Sequence, residues 1–149
     1  EAYKIARDLP TLEAYIKRAM AAGVVGIDTE ADGINAVGAK LVGVGLSLSA
    51  NDALYIPLGH ESSDTRAGEL FAAEQTPAEA APEIGPQIPA AQALAALKPL
   101  LEAHGVLKVG MNVKWDLALF AQHGIALAAY EISIGSKSTS ATASRRSAT

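Results

Sequence analysis

Two carboxylates separated by one residue, Asp28 and Glu30, close the apolar run Val24-Val25-Gly26-Ile27. In an extended strand residues i and i+2 point to the same face with Cα atoms roughly 6.5–7 Å apart, so the two acids would share a face. A run rich in Val and Ile reads as a buried strand, and like charges beside it are costly unless something positive neutralises them. A divalent cation is the most economical candidate. The competing reading is that the strand simply surfaces here into a turn at Asp32-Gly33. A third acid, Asp116, falls with Val113, Leu117 and Phe120 at the i, i+3, i+4, i+7 spacing of one helical stripe. An acid on a core-facing stripe needs compensation, which a metal shared with Asp28 and Glu30 would supply. Alternatively, Asp116 lies at the margin of the stripe, paired with a lysine or favoured by the positive end of the helix dipole.

Composition narrows the chemistry. The 149 residues amount to one domain with room for a real core, and 50% hydrophobic against 19% charged residues fits a globular chain. There are no cysteines, which excludes disulfides and thiolate metal sites and leaves hard cations held by oxygens. A net charge of −4 is unlike a nucleic-acid binder that relies on a broad basic surface. No apolar run approaches the roughly 20 residues of a membrane span, and the N-terminus lacks a signal-peptide pattern. A soluble, cytoplasmic protein with no membrane partner is therefore expected. The start at Glu1 rather than Met suggests a piece of something longer.

The elements that must position the acids follow in order. Thr11, after Pro10, precedes Leu12, Tyr15, Ile16, Ala19 and Met20 on one helical stripe, with Gly23 beyond its end, which predicts a helix over about 11–22. The strand from Val24 comes next. Lys40 to Ser49 reads as a second strand, with Val42, Val44, Leu46 and Leu48 on one face and the small Gly43, Gly45 and Ser47 on the other. A turn at Asn51-Asp52 leads into Ala53 to Pro57, completing an antiparallel meander.

From Gly59 to about Pro89 the Ala/Glu/Pro/Ser/Gly composition predicts a mobile insertion. Ala90 to Ala103 returns to helix, kinked by Pro99. Val106 to Val109 is a short buried strand. A last helix runs from Asn112 as N-cap to His123, with Gly124 as its stop. Residues 132–149 are rich in Ser, Thr and Ala, contain no acid, and read as a disordered tail with a few solvated basic residues.

Several blocks together carry a resemblance. They are Asp28-Thr29-Glu30-Ala31-Asp32-Gly33-Ile34, Lys40-Leu41-Val42-Gly43, Tyr55-Ile56-Pro57-Leu58-Gly59-His60, Leu97-Lys98-Pro99-Leu100-Leu101-Glu102, and Lys108-Val109-Gly110-Met111-Asn112-Val113-Lys114-Trp115-Asp116 through His123-Gly124-Ile125. In order and spacing they resemble the proofreading 3′→5′ exonuclease domain of bacterial DNA polymerase I, over residues 1–131. That domain belongs to the four-carboxylate exonuclease superfamily, which also includes ribonuclease D. The resemblance implies an α/β, ribonuclease H-like fold: a mixed sheet built on the antiparallel three-strand meander, one further strand and flanking helices.

It further implies hydrolysis of the 3′-terminal phosphodiester of single-stranded DNA with two Mg²⁺ (or Mn²⁺) ions, beside a polymerase domain in the parent protein. Asp28, Glu30 and Asp116 would be the catalytic, metal-binding acids. Ile34 would wedge against the terminal base, and Thr29, Asn112 and Trp115 would contact DNA, with Trp115 standing where the family commonly has Tyr. The family continues into a third block, a Tyr or His ahead of a fourth Asp, and nothing from Ile132 onward supplies either. An incomplete C-terminus, from truncation or a frameshift, is the expectation, with impaired cleavage as its consequence. The alternatives are a catalytically inert remnant that binds DNA ends and a ribonuclease D-like RNA 3′ exonuclease.

Other chemistries fit less well. His60, His104 and His123 form no helical i, i+4 pair and have no partner cysteines, which argues against zinc. No nucleophile elbow or phosphate loop is present. Gly26-Ile27-Asp28-Thr29 resembles the phosphate-binding hairpin of actin-like sugar kinases, but Glu30 and Ala31 stand where that motif needs glycines.

Overall fold

The computed structural model of the protein describes residues 3–35, 37–59 and 85–132. Most of the expected insertion lies outside these residues, as do His60 and the expected tail from residue 133 onward. At the described far end of the expected insertion, Ile88 is buried in the core.

Helix α1 spans Leu9–Ala22 and begins two residues before the expected start. Asp8, not Thr11, is the cap: its Oδ1 accepts the Thr11 N–H at 2.8 Å, satisfying one of the orphan donors of the first turn. Pro10 sits in that turn, where its missing N–H costs nothing. The helix ends at Gly23, which takes φ 73° and donates its N–H to the Ala19 carbonyl at 3.1 Å. Because that left-handed conformation strains any residue bearing a Cβ, Gly23→Ala is expected to cost about 1 kcal/mol. Urea unfolding checks it, and an unmoved midpoint would contradict the cap's role.

Strands β2 (Val24–Asp32), β3 (Lys40–Ser49) and β4 (Asp52–Pro57) form the expected antiparallel meander. The sheet is larger than one further strand. β1 (Tyr3–Ile5) pairs in parallel with β4, β5 (Leu107–Gly110) with β2, and β6 (Tyr130–Ile132) with β5. The order is β1-β4-β3-β2-β5-β6. The two edge strands escaped the sequence reading because segments of three residues are too short to display a period of two.

The register sorts side chains into two sheet faces. Ile27, Leu46 and Leu54 lie in one cross-strand row, and Thr29, Val44 and Ile56 in the next. This face joins Leu12, Tyr15 and Ala19 of α1 and Leu94, Leu97 and Leu101 of α2 (Ala90–Glu102) in a single core. Each fully buried leucine there contributes about 2 kcal/mol. The opposite face carries the rows Gly26–Ser47–Ala53, Asp28–Gly45–Tyr55 and Glu30–Gly43–Pro57. The expected stripe of α1 is trimmed at its end, since Met20 is exposed.

Helix α2 runs on through Pro99 and is capped at Ala103. α3 (Val113–Ala121) starts after Asn112 as expected, although the Asn112 side chain makes no capping hydrogen bond. Among the described residues no helix is long and apolar enough to cross a membrane.

Candidate active site

The acids sit where the sheet changes character. β5 pairs with β2 only along Val24–Gly26, so beyond Gly26 that edge of β2 is left for α3 to approach. Its first turn delivers Asp116, which is only 2% exposed. The Thr29 hydroxyl donates to Asp116 Oδ1 at 2.5 Å, and the Thr29 backbone N–H also helps hold the carboxylate. Of the two readings left open for this residue, the core-facing one describes the structure, and the partner is a β2 threonine rather than a lysine. Gly110 opens the space for it, since a Cβ there would lie 3.2 Å from Asp116 Oδ2.

Electrostatically Asp116 is underpaid with positive charge. Burial pushes its carboxyl above the usual carboxylate range; the Thr29 hydrogen bonds pull it back, and the negative charge of Asp28 pushes it up again. Asp28 and Glu30 themselves are exposed on the opposite face of β2, as their i, i+2 spacing predicts. Asp28 lines a cavity of about 440 Å³ with Gly45, Ser47, Tyr55, Gly110 and Met111. Glu30 Oε2 accepts the Tyr55 hydroxyl at 2.7 Å, a contact made across the intervening strand β3. Burial and this carboxylate together raise the Tyr55 phenol above its ordinary value.

The remaining expected contacts divide. Ile34 is fully exposed at the end of β2 and Asn112 is exposed before α3, so both are open to a ligand. Trp115 is half-buried and packs on the core. Thr29 is 9% exposed and its hydroxyl is already engaged by Asp116, so its side chain is a support for that acid.

Among the described residues no three acidic or imidazole side chains are gathered closely enough to hold a metal ion between them. The arrangement is an open one. The alternation along β2 leaves Asp28 and Glu30 on one face while Asp116 meets Thr29 on the other, near enough for Asp28 to act on it electrostatically. Carboxylate oxygens are the hard donors that Mg²⁺ takes, one or two per ion, with water and substrate phosphate completing its octahedron. Two features of the site were missed in the sequence, Tyr55 and Gly43. The signal was there: small residues on β3 face the two acids, which is where a long side chain from β4 would cross.

Residues 3–136 match the model of the 3′-5′ exonuclease domain found in family A DNA polymerases. DNA polymerase I of Rhizobium leguminosarum is 37% identical over 133 residues, 83% of this chain and 12% of that protein. DNA polymerase I of Pseudomonas aeruginosa is 30% identical over 147 residues, 96% of this chain and 14% of that protein. The chain thus spans about an eighth of the length of these relatives. Among solved structures, Escherichia coli RNase D, an exoribonuclease involved in structured RNA processing, superposes with a TM-score of 0.55 at 14% identity, covering 87% of this chain and 27% of that one. That likeness extends to the fold, a mixed sheet with flanking helices of the ribonuclease H-like type. Sequence and fold agree: this chain belongs to the 3′-5′ exonuclease family of DNA polymerase I.

Proposed function

We propose that the chain removes the terminal nucleotide from the 3′ end of single-stranded DNA by metal-assisted hydrolysis, as a proofreading module working beside a polymerase domain. The observation that carries this reading is the buried Asp116 carboxylate, held by Thr29 and burdened by the charge of Asp28. Divalent ions, bound with Asp28, Glu30 and Asp116, would supply a nucleophile at neutral pH and a sink for charge on the leaving oxygen. The chain's own residues divide the remaining work. Asp28 borders the cavity in which the scissile phosphate is received. Glu30, on the same face as Asp28, orients the attacking water, and Thr29 holds the Asp116 carboxylate against the strand that carries both acids. Exposed Ile34 packs on the terminal base, and Asn112 and Trp115 hold the terminal nucleotide.

One observation favours a slower or inert version that binds a DNA end. Residues 133–149 contain no Asp, Glu, Tyr or His, so no fourth carboxylate or water-orienting group comes from that stretch. Removing such a member from a cooperating set costs orders of magnitude in rate. The purified chain, incubated with single-stranded DNA labelled at its 5′ end and Mg²⁺ or Mn²⁺, decides between them. Nucleotide-by-nucleotide shortening that falls to background in Asp28→Ala is the expected result. Binding of the labelled strand without any shortening would establish the inert version, and shortening of RNA alone would replace the DNA reading.

A further inference from the structure

Tyr55 lies on β4, two strands away from β2, yet its hydroxyl reaches Glu30 Oε2 at 2.7 Å. Register explains how. Tyr55 stands in the cross-strand row of Asp28 and Gly45, while Glu30 stands in the next row, opposite Gly43. The phenol therefore runs diagonally over Gly43, and a Cβ on that residue would come within 2.6 Å of the ring carbon bearing the hydroxyl. Real Cβ atoms essentially never come so close, so any larger residue at position 43 would have to push the phenol from this place.

We propose that Tyr55 is a positioning residue for the exonuclease reaction, fixing the Glu30 carboxylate on the face it shares with Asp28, and that Gly43 is the gap that lets it do so. The inference rests on the nuclease reading above. An exposed glutamate at the end of a strand samples several rotamers, and a carboxylate that must orient a water or help hold an ion loses rate for every orientation it does not need. A hydroxyl donated to Oε2 removes that freedom while engaging one of the two carboxylate oxygens. The donor comes from a strand paired on both sides, by β1 and β3, rather than from a loop, so it is itself well fixed. Tyr55 also lines the cavity bordered by Asp28, so the same ring that holds one acid forms a wall beside the other.

The test compares wild type, Tyr55→Phe, Gly43→Ala and Asp28→Ala in the full 149-residue chain. Mn²⁺ binding is read by electron paramagnetic resonance, and single-stranded DNA cleavage is resolved into kcat and KM. Removing only the hydroxyl in Tyr55→Phe is expected to lower Mn²⁺ affinity about threefold and kcat about tenfold, with KM for DNA and the thermal midpoint unchanged. Gly43→Ala, which displaces the ring, is expected to match or exceed those losses. Equal Mn²⁺ affinity and equal kcat with and without the hydroxyl, in a wild type whose Mn²⁺ binding depends on Asp28, would overturn the role of Tyr55 alone. A fall in KM performance and thermal midpoint with kcat intact would make the tyrosine a packing residue and overturn it as well. A wild type whose Mn²⁺ binding is the same as that of Asp28→Ala would overturn the nuclease reading and the positioning role with it.

Discussion

Asp116→Asn should melt at a higher temperature than the wild type in metal-free buffer at pH 7 and should cleave DNA at least about 10³-fold more slowly in Mg²⁺. The two effects have one cause. Asp116 is 2% exposed, and burial together with the charge of Asp28 raises its carboxyl above the value it has in the unfolded chain. A raised carboxyl contributes stability that is fully present below the unfolded value and is lost as pH climbs through the folded one. At neutral pH the ionised group is therefore a burden on the fold. Asparagine keeps an oxygen to accept the Thr29 hydroxyl and carries no charge, so the gain is on the order of 1 kcal/mol. The advantage of the variant should shrink as pH falls below the carboxylate range, because the wild-type acid then becomes neutral as well.

Adding metal should reverse the order. Whatever binds the native state but not the unfolded one stabilises it by mass action. Millimolar Mg²⁺ or Mn²⁺ is expected to raise the wild-type midpoint and leave Asp116→Asn where it was. Differential scanning fluorimetry with and without the ion checks both halves. A variant that melts lower in metal-free buffer would mean that Thr29 already compensates the charge. A variant that gains the same stabilisation from metal would remove Asp116 from the site.

The residue types legible in the sequence were those whose signal is periodic or chemical. The meander from Val24 to Pro57 announced itself by alternation, and β3 was bounded correctly because Lys40 and Ser49 flank an unbroken run of alternating large and small residues. Asp28, Glu30 and Asp116 stood out because acids do not belong beside apolar runs without a reason. What stayed hidden depended on partners remote in sequence. Asp8 outranks Thr11 as a cap only once the backbone before Pro10 is seen to be extended. β1 and β6 exist through parallel pairing alone, which leaves no local pattern in segments this short. The contact of Tyr55 with Glu30 requires the register of three strands, a quantity that the turn at Asn51 and the bulge after Glu30 set together.

The largest loss of stability is expected from a lysine that the sequence made look unremarkable. Lys108, in the strand β5 that leads into α3, is fully buried, and its Nζ donates to the carbonyls of Leu100 at 3.3 Å, Ala103 at 2.6 Å and Val106 at 2.8 Å. These carbonyls belong to the end of α2 and the turn after it, where a helix leaves acceptors unpaired and carries partial negative charge. One ammonium thus caps α2 from below and ties it to β5, the strand that sets where α3 and Asp116 begin.

Lys108→Met keeps the length of the stem and removes the donor, stranding acceptors in a dry interior at a cost of about 2 kcal/mol near neutral pH. Burial lowers the lysine to about 8, against 10.5 in the unfolded chain. A depressed value means that the unfolded state holds the proton more tightly between those limits, so wild-type stability rises with pH from about 8 and falls back as pH drops through that value. Methionine cannot titrate. The deficit of Lys108→Met should therefore widen between pH 7 and pH 9.5, by on the order of 2 kcal/mol, while groups common to both proteins cancel in the difference. Urea unfolding at the two pH values measures the difference, and a gap that narrows would show that the ammonium, once protonated, is worth more to the end of α2 than its burial costs.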